Sequence, residues 1–282
     1  MTSPINEYTD THIIVNNSPD IAGRPVNTRT VMIGSQKGGV GKTTTTINLG
    51  AAFSERGKHV LVVDTDPVSS VAASLHLEVP DFCGLERAAA GNADAILRDV
   101  EPGLDVLPCS PTDFRSDVRI GGWIQQLGEQ EFEDPYDLIL VDSSPYTGPR
   151  SRDLLCSADE LLLVIRAEPL SYRTLPSFLH DLRRLDNLDL GPNLRGIILT
   201  LPQGEPLGGR WENGLRNRFG SRMMPQAVPY DSVVGYSLAQ GLPVVISDPE
   251  SVPAQQYLEL AAELEQRWDE EEANGVVPRS AA

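Results

Sequence analysis

Gly34-Ser35-Gln36-Lys37-Gly38-Gly39-Val40-Gly41-Lys42-Thr43-Thr44 is the stretch on which the fold is read. The apolar run Val31–Gly34 leads into it, and a helical pattern, Thr43–Arg56, leads out. A strand, a glycine-rich turn and a helix in that order make a cradle for phosphate. Glycines let backbone N–H groups turn inward with no Cβ in the way, and the helix adds its positive end. Lys42 is placed to reach the β- and γ-phosphates, and the Thr43 hydroxyl to ligate Mg²⁺. Gly38, Gly39, Val40, Gly41 and Thr44 complete the expected nucleotide contacts.

Outward from the loop, the chain alternates β-rich apolar runs with helical stretches. The strands expected are Val31–Gly34, Val60–Asp64, Leu104–Leu107, Leu138–Asp142, Leu161–Arg166, Gly196–Leu201, Gln226–Pro229 and Val244–Ile246. They read as continuous Val/Ile/Leu runs, the pattern of strands buried on both faces of a helix-covered parallel sheet. Helical patterns fall at Thr43–Arg56, Ser70–Leu75, Ser116–Leu127, Tyr172–Leu185, Trp211–Phe219 and Val252–Glu271. The fold class expected is α/β, a single doubly wound, mostly parallel sheet with helices on both faces. Residues 30–272 are assigned to this domain, 1–29 to a flexible N-terminal arm and 273–282 to a disordered tail.

Two runs end in acids. Val60–Asp64 continues as Thr65-Asp66-Pro67, so Asp64 and Asp66, two positions apart, can face one side of the crevice at a strand's carboxyl end. Asp137–Asp142 is a second apolar strand ending in a carboxylate, as expected of a group that holds Mg²⁺ through water.

Bulk composition limits the function classes. The formal charge is −17, which argues against a general nucleic-acid binder. The excess is uneven: Asp248–Glu272 carries nine acids against one base, whereas Gly191–Arg222 carries five arginines against two glutamates. Three cysteines with no CxxC spacing exclude a disulfide scaffold and a cysteine-rich zinc site, and suit a reducing cytosol. No apolar run approaches the roughly 20 residues a membrane span needs, and the N-terminus has no signal-peptide pattern.

The loop departs from G-x-x-x-x-G-K-[ST] in having Gln36 at the first glycine position and an extra lysine, Lys37. Here the chain resembles the ParA/MinD family, whose deviant motif reads K-G-G-x-x-K-[ST]. The likeness continues at Asp64-Thr65-Asp66-Pro67 and at Asp142-Ser143-Ser144-Pro145. It extends to Val228-Pro229-Tyr230-Asp231-Ser232, to Gly241–Ile246 and to Asp248-Pro249-Glu250-Ser251. It implies an ATPase using ATP and Mg²⁺, and a homodimer formed on ATP binding. In that dimer Lys37 reaches the partner's nucleotide, and a second ammonium at the phosphates stabilises charge only when two subunits meet. It also implies that Lys37, Lys42 and Asp66 are catalytic, with Asp66 setting up the attacking water. Thr43, Asp66 and Asp142 attend the metal, with Asp64 supporting its shell, and Pro229 and Tyr230 lie near the adenine. Val68-Ser69-Ser70 departs from the family's Gln-x-Asn.

The family divides by what the ATP-bound dimer grips. Partition ATPases hold DNA nonspecifically and answer to a ParB-like adaptor, whereas MinD-type proteins insert a basic amphipathic helix into the membrane. The last helix here carries Glu263, Glu265, Asp269, Glu270, Glu271 and Glu272, which anionic lipid repels. No membrane partner is therefore expected. Arg210, Arg216, Arg218 and Arg222 are the DNA-binding candidates, with Arg183 and Arg184 nearby, since arginines spaced along a helix can meet a duplex backbone without reading sequence. The same arginines could instead be a solvated face with local ion pairs. The reading is a cytoplasmic, nucleoid-associated partition switch. The alternative is an orphan switch of the same core that positions a protein cargo or regulates a partner.

Overall fold

The computed structural model describes residues 28–274, apart from 67, 111–112, 114–119, 131, 133, 146–148 and 189. Eight strands form one sheet: β1 (Arg29–Gly34), β2 (Val60–Asp64), β3 (Leu97–Glu101), β4 (Leu104–Leu107), β5 (Leu138–Asp142), β6 (Glu160–Arg166), β7 (Asn193–Thr200) and β8 (Met223–Val228). Their order is β3-β4-β2-β5-β1-β6-β7-β8, and every pair is parallel except β3 with β4. The early helices are α1 (Lys42–Glu55), α2 (Ser70–Ser74), α3 (Leu85–Ala89), α4 (Ile120–Glu129) and α5 (Pro149–Ser157). The later ones are α6 (Pro169–Asp186), α7 (Arg210–Phe219), α8 (Ser232–Leu238), α9 (Val244–Ser247) and α10 (Val252–Ala273).

The uniformly apolar strands serve two cores through the twofold alternation of side chains. Met32, Leu61, Val63, Ile139, Val141, Leu161 and Leu163 point to one face, where α3 to α7 cover them. Val31, Ile33, Val60, Val62, Leu138, Leu140, Leu162 and Val164 point to the other, under α1, α9 and α10. The strand order reverses about β1, which lies between β5 and β6. The crevice at the carboxyl ends of the strands is where such a sheet binds ligands, and the loop Ser35–Gly41 stands there.

Arg29, assigned to the arm on sequence, is the first residue of β1, and its guanidinium is buried against Glu160. Residues 1–27 lie outside the described residues, as do 275–282 of the expected tail, and Ala273 closes α10. Val244–Ile246 is not a strand but the core of α9. Pro243 O accepts Ile246 N and Ser247 N at 3.1 and 3.0 Å, so the apolar run winds into one turn that packs on α1.

The acidic terminal helix is bound into the body. Trp268 stacks on Phe53 of α1, ring centroids 5.5 Å apart, and its Nε1 donates to Glu160 Oε2 at 2.9 Å. Glu263, Glu265, Glu271 and Glu272 pair with Arg267, Arg56, Arg195 and Arg29. Arg195 holds the Glu271 carboxyl below its ordinary value by its hydrogen bonds and charge. Four of the nine acids of Asp248–Glu272 are thus paired within the chain.

Candidate functional site

The phosphate loop is shaped by two left-handed glycines, Gly39 (φ 71°) and Gly41 (φ 97°), the second directly preceding α1. L side chains are strained there, and the result is a tight turn opening on the helix N-terminus. Thr200 Oγ1, at the end of β7, donates to Val40 O at 2.8 Å and braces the loop from outside. Opposite it, a Cβ on Gly38 would stand 3.8 Å from Pro145 Cγ, so the loop following β5 faces the loop's entrance.

The two loop lysines have opposite placements. Lys42 is buried, and burial pushes its ammonium below its ordinary value against the opposing pull of Asp142 and Asp66. Lys37 stands out on the lip. Its side chain is 47% exposed, and its Nζ lies 2.6 Å from Glu168 Oε1 in the turn between β6 and α6.

Asp142 closes β5 in register with Asp64 of β2 and is fully buried. Thr43 Oγ1 donates to its Oδ2 at 2.7 Å. Thr46, one turn along α1, donates to its Oδ1 at 3.1 Å. The backbone is pinned too: Thr65 N and Oγ1 both donate to Asp142 O, at 3.0 and 2.6 Å. Burial, with the Asp64 charge beside it, raises the Asp142 carboxyl to about 7. A hydroxyl and a carboxylate at hydrogen-bond distance below the phosphate loop are hard oxygen donors that suit Mg²⁺, which takes one or two protein oxygens and leaves the rest to phosphate and water. Thr43 and Asp142 therefore fit the metal that the loop implies, and Mg²⁺ would there neutralise phosphate charge.

Asp64, expected to support the metal's shell, lies beside Asp142 and fixes the neighbouring backbone. Its Oδ1 accepts from Asp66 N and its Oδ2 from Val71 N, both at 2.9 Å, so it ties the loop after β2 to the first turn of α2. Burial is the main cause that raises its carboxyl to about 6. This tether aims Asp66. Asp66 itself is half-buried, its Oδ1 accepting from Val68 N at 3.0 Å, and its charge reaches Lys42. Ser69 holds φ 50° in the same loop, and Pro67 lies outside the described residues.

The remaining candidates divide. Pro229 and Tyr230 follow β8 on the same sheet edge, Pro229 half-buried and Tyr230 exposed. Arg216 is not available as a solvent-facing cation. Its Nε donates to Glu212 Oε1 at 2.8 Å, and its Nη1 and Nη2 donate to Met224 O and Pro225 O at 2.7 and 2.8 Å. It thereby covers two carbonyls of β8, the strand at the sheet's edge, where unpaired backbone invites foreign strands. Arg218 stacks 4.3 Å over Tyr172 and donates to Tyr172 O, joining α7 to α6. Arg210 is exposed beside Trp211, and Arg222 is exposed on the turn before β8. Arg183 and Arg184 are exposed in the last turn of α6.

Thr46, Glu168 and Thr200 were not foreseen. Only Thr46 left a signal, its spacing of three from Thr43 on one helix. Among the described residues no helix is long and apolar enough to cross a membrane.

A family profile described as AAA domain matches residues 28–195. The chain is 30% identical to the chromosome-partitioning ATPase Soj of Thermus thermophilus, over 86% of this chain and 97% of that one. It is 27% identical to the chromosome partitioning protein ParA of Caulobacter vibrioides, over 87% and 97%. Among solved structures it is similar to the septum site-determining protein MinD of Pyrococcus horikoshii, complexed with Mg-ADP. That match has a TM-score of 0.68 and 28% identity over 84% of this chain and 96% of that one.

Proposed function

The chain belongs to the ParA/MinD family of P-loop ATPases, and from that premise we propose a dimerising switch that hydrolyses Mg·ATP slowly and, while ATP-bound, holds DNA nonspecifically for partition. A ParB-like adaptor stimulates hydrolysis and releases it, and the protein works in the cytoplasm, associated with the nucleoid. The observation that carries this reading is the division of labour between two lysines on one loop. Lys42 is inside the cradle, whereas Lys37 is exposed on its lip, available to a second subunit's nucleotide. Lys42 holds phosphate, Thr43 and Asp142 attend Mg²⁺, and Asp66 orients water for in-line attack, a reaction that needs chiefly positioning and charge stabilisation. Pro229 and Tyr230 are assigned to the adenine side of the cleft.

On this reading the DNA face draws on fewer of the candidate arginines. Arg216 and Arg218 are committed to β8 and α6, so the phosphate contacts fall to Arg210 and Arg222, joined by Arg183 and Arg184. That commitment, with the charge of −17, is also what favours the second reading, a switch that positions a protein cargo. One assay separates the two. Asp66→Ala protein with Mg·ATP is expected to stay dimeric by light scattering and to be retained on DNA, with retention falling steeply between 50 and 200 mM salt, as about 10³-fold or more for several phosphate contacts. Reversing Arg183, Arg184 and Arg222 to Glu is expected to abolish retention and leave dimerisation intact. A dimer that ignores DNA at low salt refutes partition and supports the cargo reading. A protein that stays monomeric refutes the switch.

A further inference from the structure

One helix grips the Asp142 carboxylate at both oxygens. Thr43 supplies the donor to Oδ2 and Thr46 the donor to Oδ1, three residues apart on a single face of α1. We propose that Thr46 is the positioning residue for Asp142 in metal binding, keeping the carboxylate plane fixed at the oxygen that Thr43 does not hold. This rests on the reading of the site as an Mg·ATP site.

The Thr46 hydroxyl has one proton and two acceptors in reach, Asp142 Oδ1 at 3.1 Å and Lys42 O at 3.0 Å. Distance does not separate them, but charge does. In the ionised form that binds a cation, the carboxylate takes a hydrogen bond about twice as strong as a neutral carbonyl does. Thr46 is fully buried, so no bulk water competes for the proton. The backbone of Asp142 is already fixed by the two bonds from Thr65. What remains free is rotation of the carboxylate about its own axis. One hydrogen bond, from Thr43, leaves the carboxylate able to turn about that contact, whereas a second donor on the opposite oxygen fixes its plane. The effect belongs to the outer shell of the metal, where loss of an orienting partner weakens binding about 10- to 100-fold.

Thr46→Val keeps the shape and removes the donor, whereas Thr46→Ser keeps the donor. The full chain is titrated with Mg²⁺ at constant fluorescent ADP analogue, the analogue's affinity is measured again in EDTA, and each variant is melted without nucleotide. The Val variant is expected to need about tenfold or more free Mg²⁺ for half-saturation. The Ser variant is expected to stay within about twofold of the parent, and all three to bind alike in EDTA. A Val variant with the parent's Mg²⁺ requirement overturns the assignment while leaving the Mg·ATP site standing. So does a Val variant whose Mg²⁺-bound and EDTA affinities fall together with its melting temperature, which marks a packing role. A parent protein whose nucleotide binding ignores Mg²⁺ overturns the site reading itself, and this proposal with it.

Discussion

Asp142→Asn should make the nucleotide-free protein more stable while destroying its metal site. The Asp142 carboxyl, ordinarily at 3.8, is raised to about 7 by burial and by the neighbouring Asp64 charge, in spite of Thr43, Lys42 and Thr46. A carboxyl that holds its proton more tightly in the native state contributes stability at low pH, which is lost as pH rises through the native value. Each tenfold in proton affinity is worth about 1.4 kcal/mol, so ionising Asp142 in place costs on the order of 4 kcal/mol by pH 8. Asparagine has nearly the same shape and no charge. Its Oδ1 can accept from one threonine hydroxyl and its amide can donate to the other. Urea unfolding in EDTA should therefore show the variant more stable at pH 8 by about 1–4 kcal/mol, with the gap closing toward zero at pH 4.5. A variant less stable than the parent at pH 8, or a difference independent of pH, refutes the reasoning. The outcome would be a stability–activity trade: the charge that Mg²⁺ requires is one the empty fold is better without.

Two further expectations concern the rim and the base of the molecule. Glu160→Ala leaves Arg195 and Arg29 without their shared buried partner and Trp268 Nε1 without an acceptor, so a loss of about 3–5 kcal/mol is expected by thermal or urea melting; a loss under about 1 kcal/mol would show that Glu271 and Glu272 alone suffice for α10. Glu168→Gln releases Lys37 from its exposed ion pair, worth about 0.2–1 kcal/mol, so ATP-dependent dimerisation in an Asp66→Ala background should tighten up to about fivefold by sedimentation with monomer nucleotide affinity unchanged. Weaker dimerisation would instead show that Glu168 guides Lys37 rather than retains it.

What the sequence disclosed followed from how local each feature is. Val60–Asp64, Leu104–Leu107 and Leu138–Asp142 were placed to the residue because fully buried strands are uninterrupted apolar runs closed by polar residues. Val244–Ile246 satisfied the same pattern and is helical, since a short apolar run carries no period of its own and the sheet already ends at β8. Edge strand β3, Leu-Arg-Asp-Val-Glu, was missed for the opposite reason: paired on one side only, it needs few apolar residues. At the site, Lys42, Thr43, Asp66 and Asp142 announce themselves by residue type at strand and helix ends. Glu168 cannot be seen from Lys37, which lies 131 residues away. Arg216 reads as a free cation on a polar helix face until the carbonyls of Met224 and Pro225 come into view.

The charge placement gives a physical reason for coupling dimerisation to the γ-phosphate in the switch proposed above. Among the described residues Lys42 is the one buried cation on the nucleotide edge, and it already faces Asp66 and Asp142. Mg²⁺ held by Thr43 and Asp142 would be partly offset by those carboxylates, which would leave the triphosphate with uncompensated negative charge. Such charge interacts strongly over short distances at low effective dielectric. The other loop ammonium, Lys37, is paired with Glu168, and that pair offsets its charge in its own subunit. In the proposed dimer a facing subunit would bring its Lys37 to the phosphates and relieve the deficit, and one phosphate fewer would make the deficit smaller. On that proposal the strength of subunit association would follow the charge on the nucleotide, and hydrolysis would weaken it with no steric displacement at the interface.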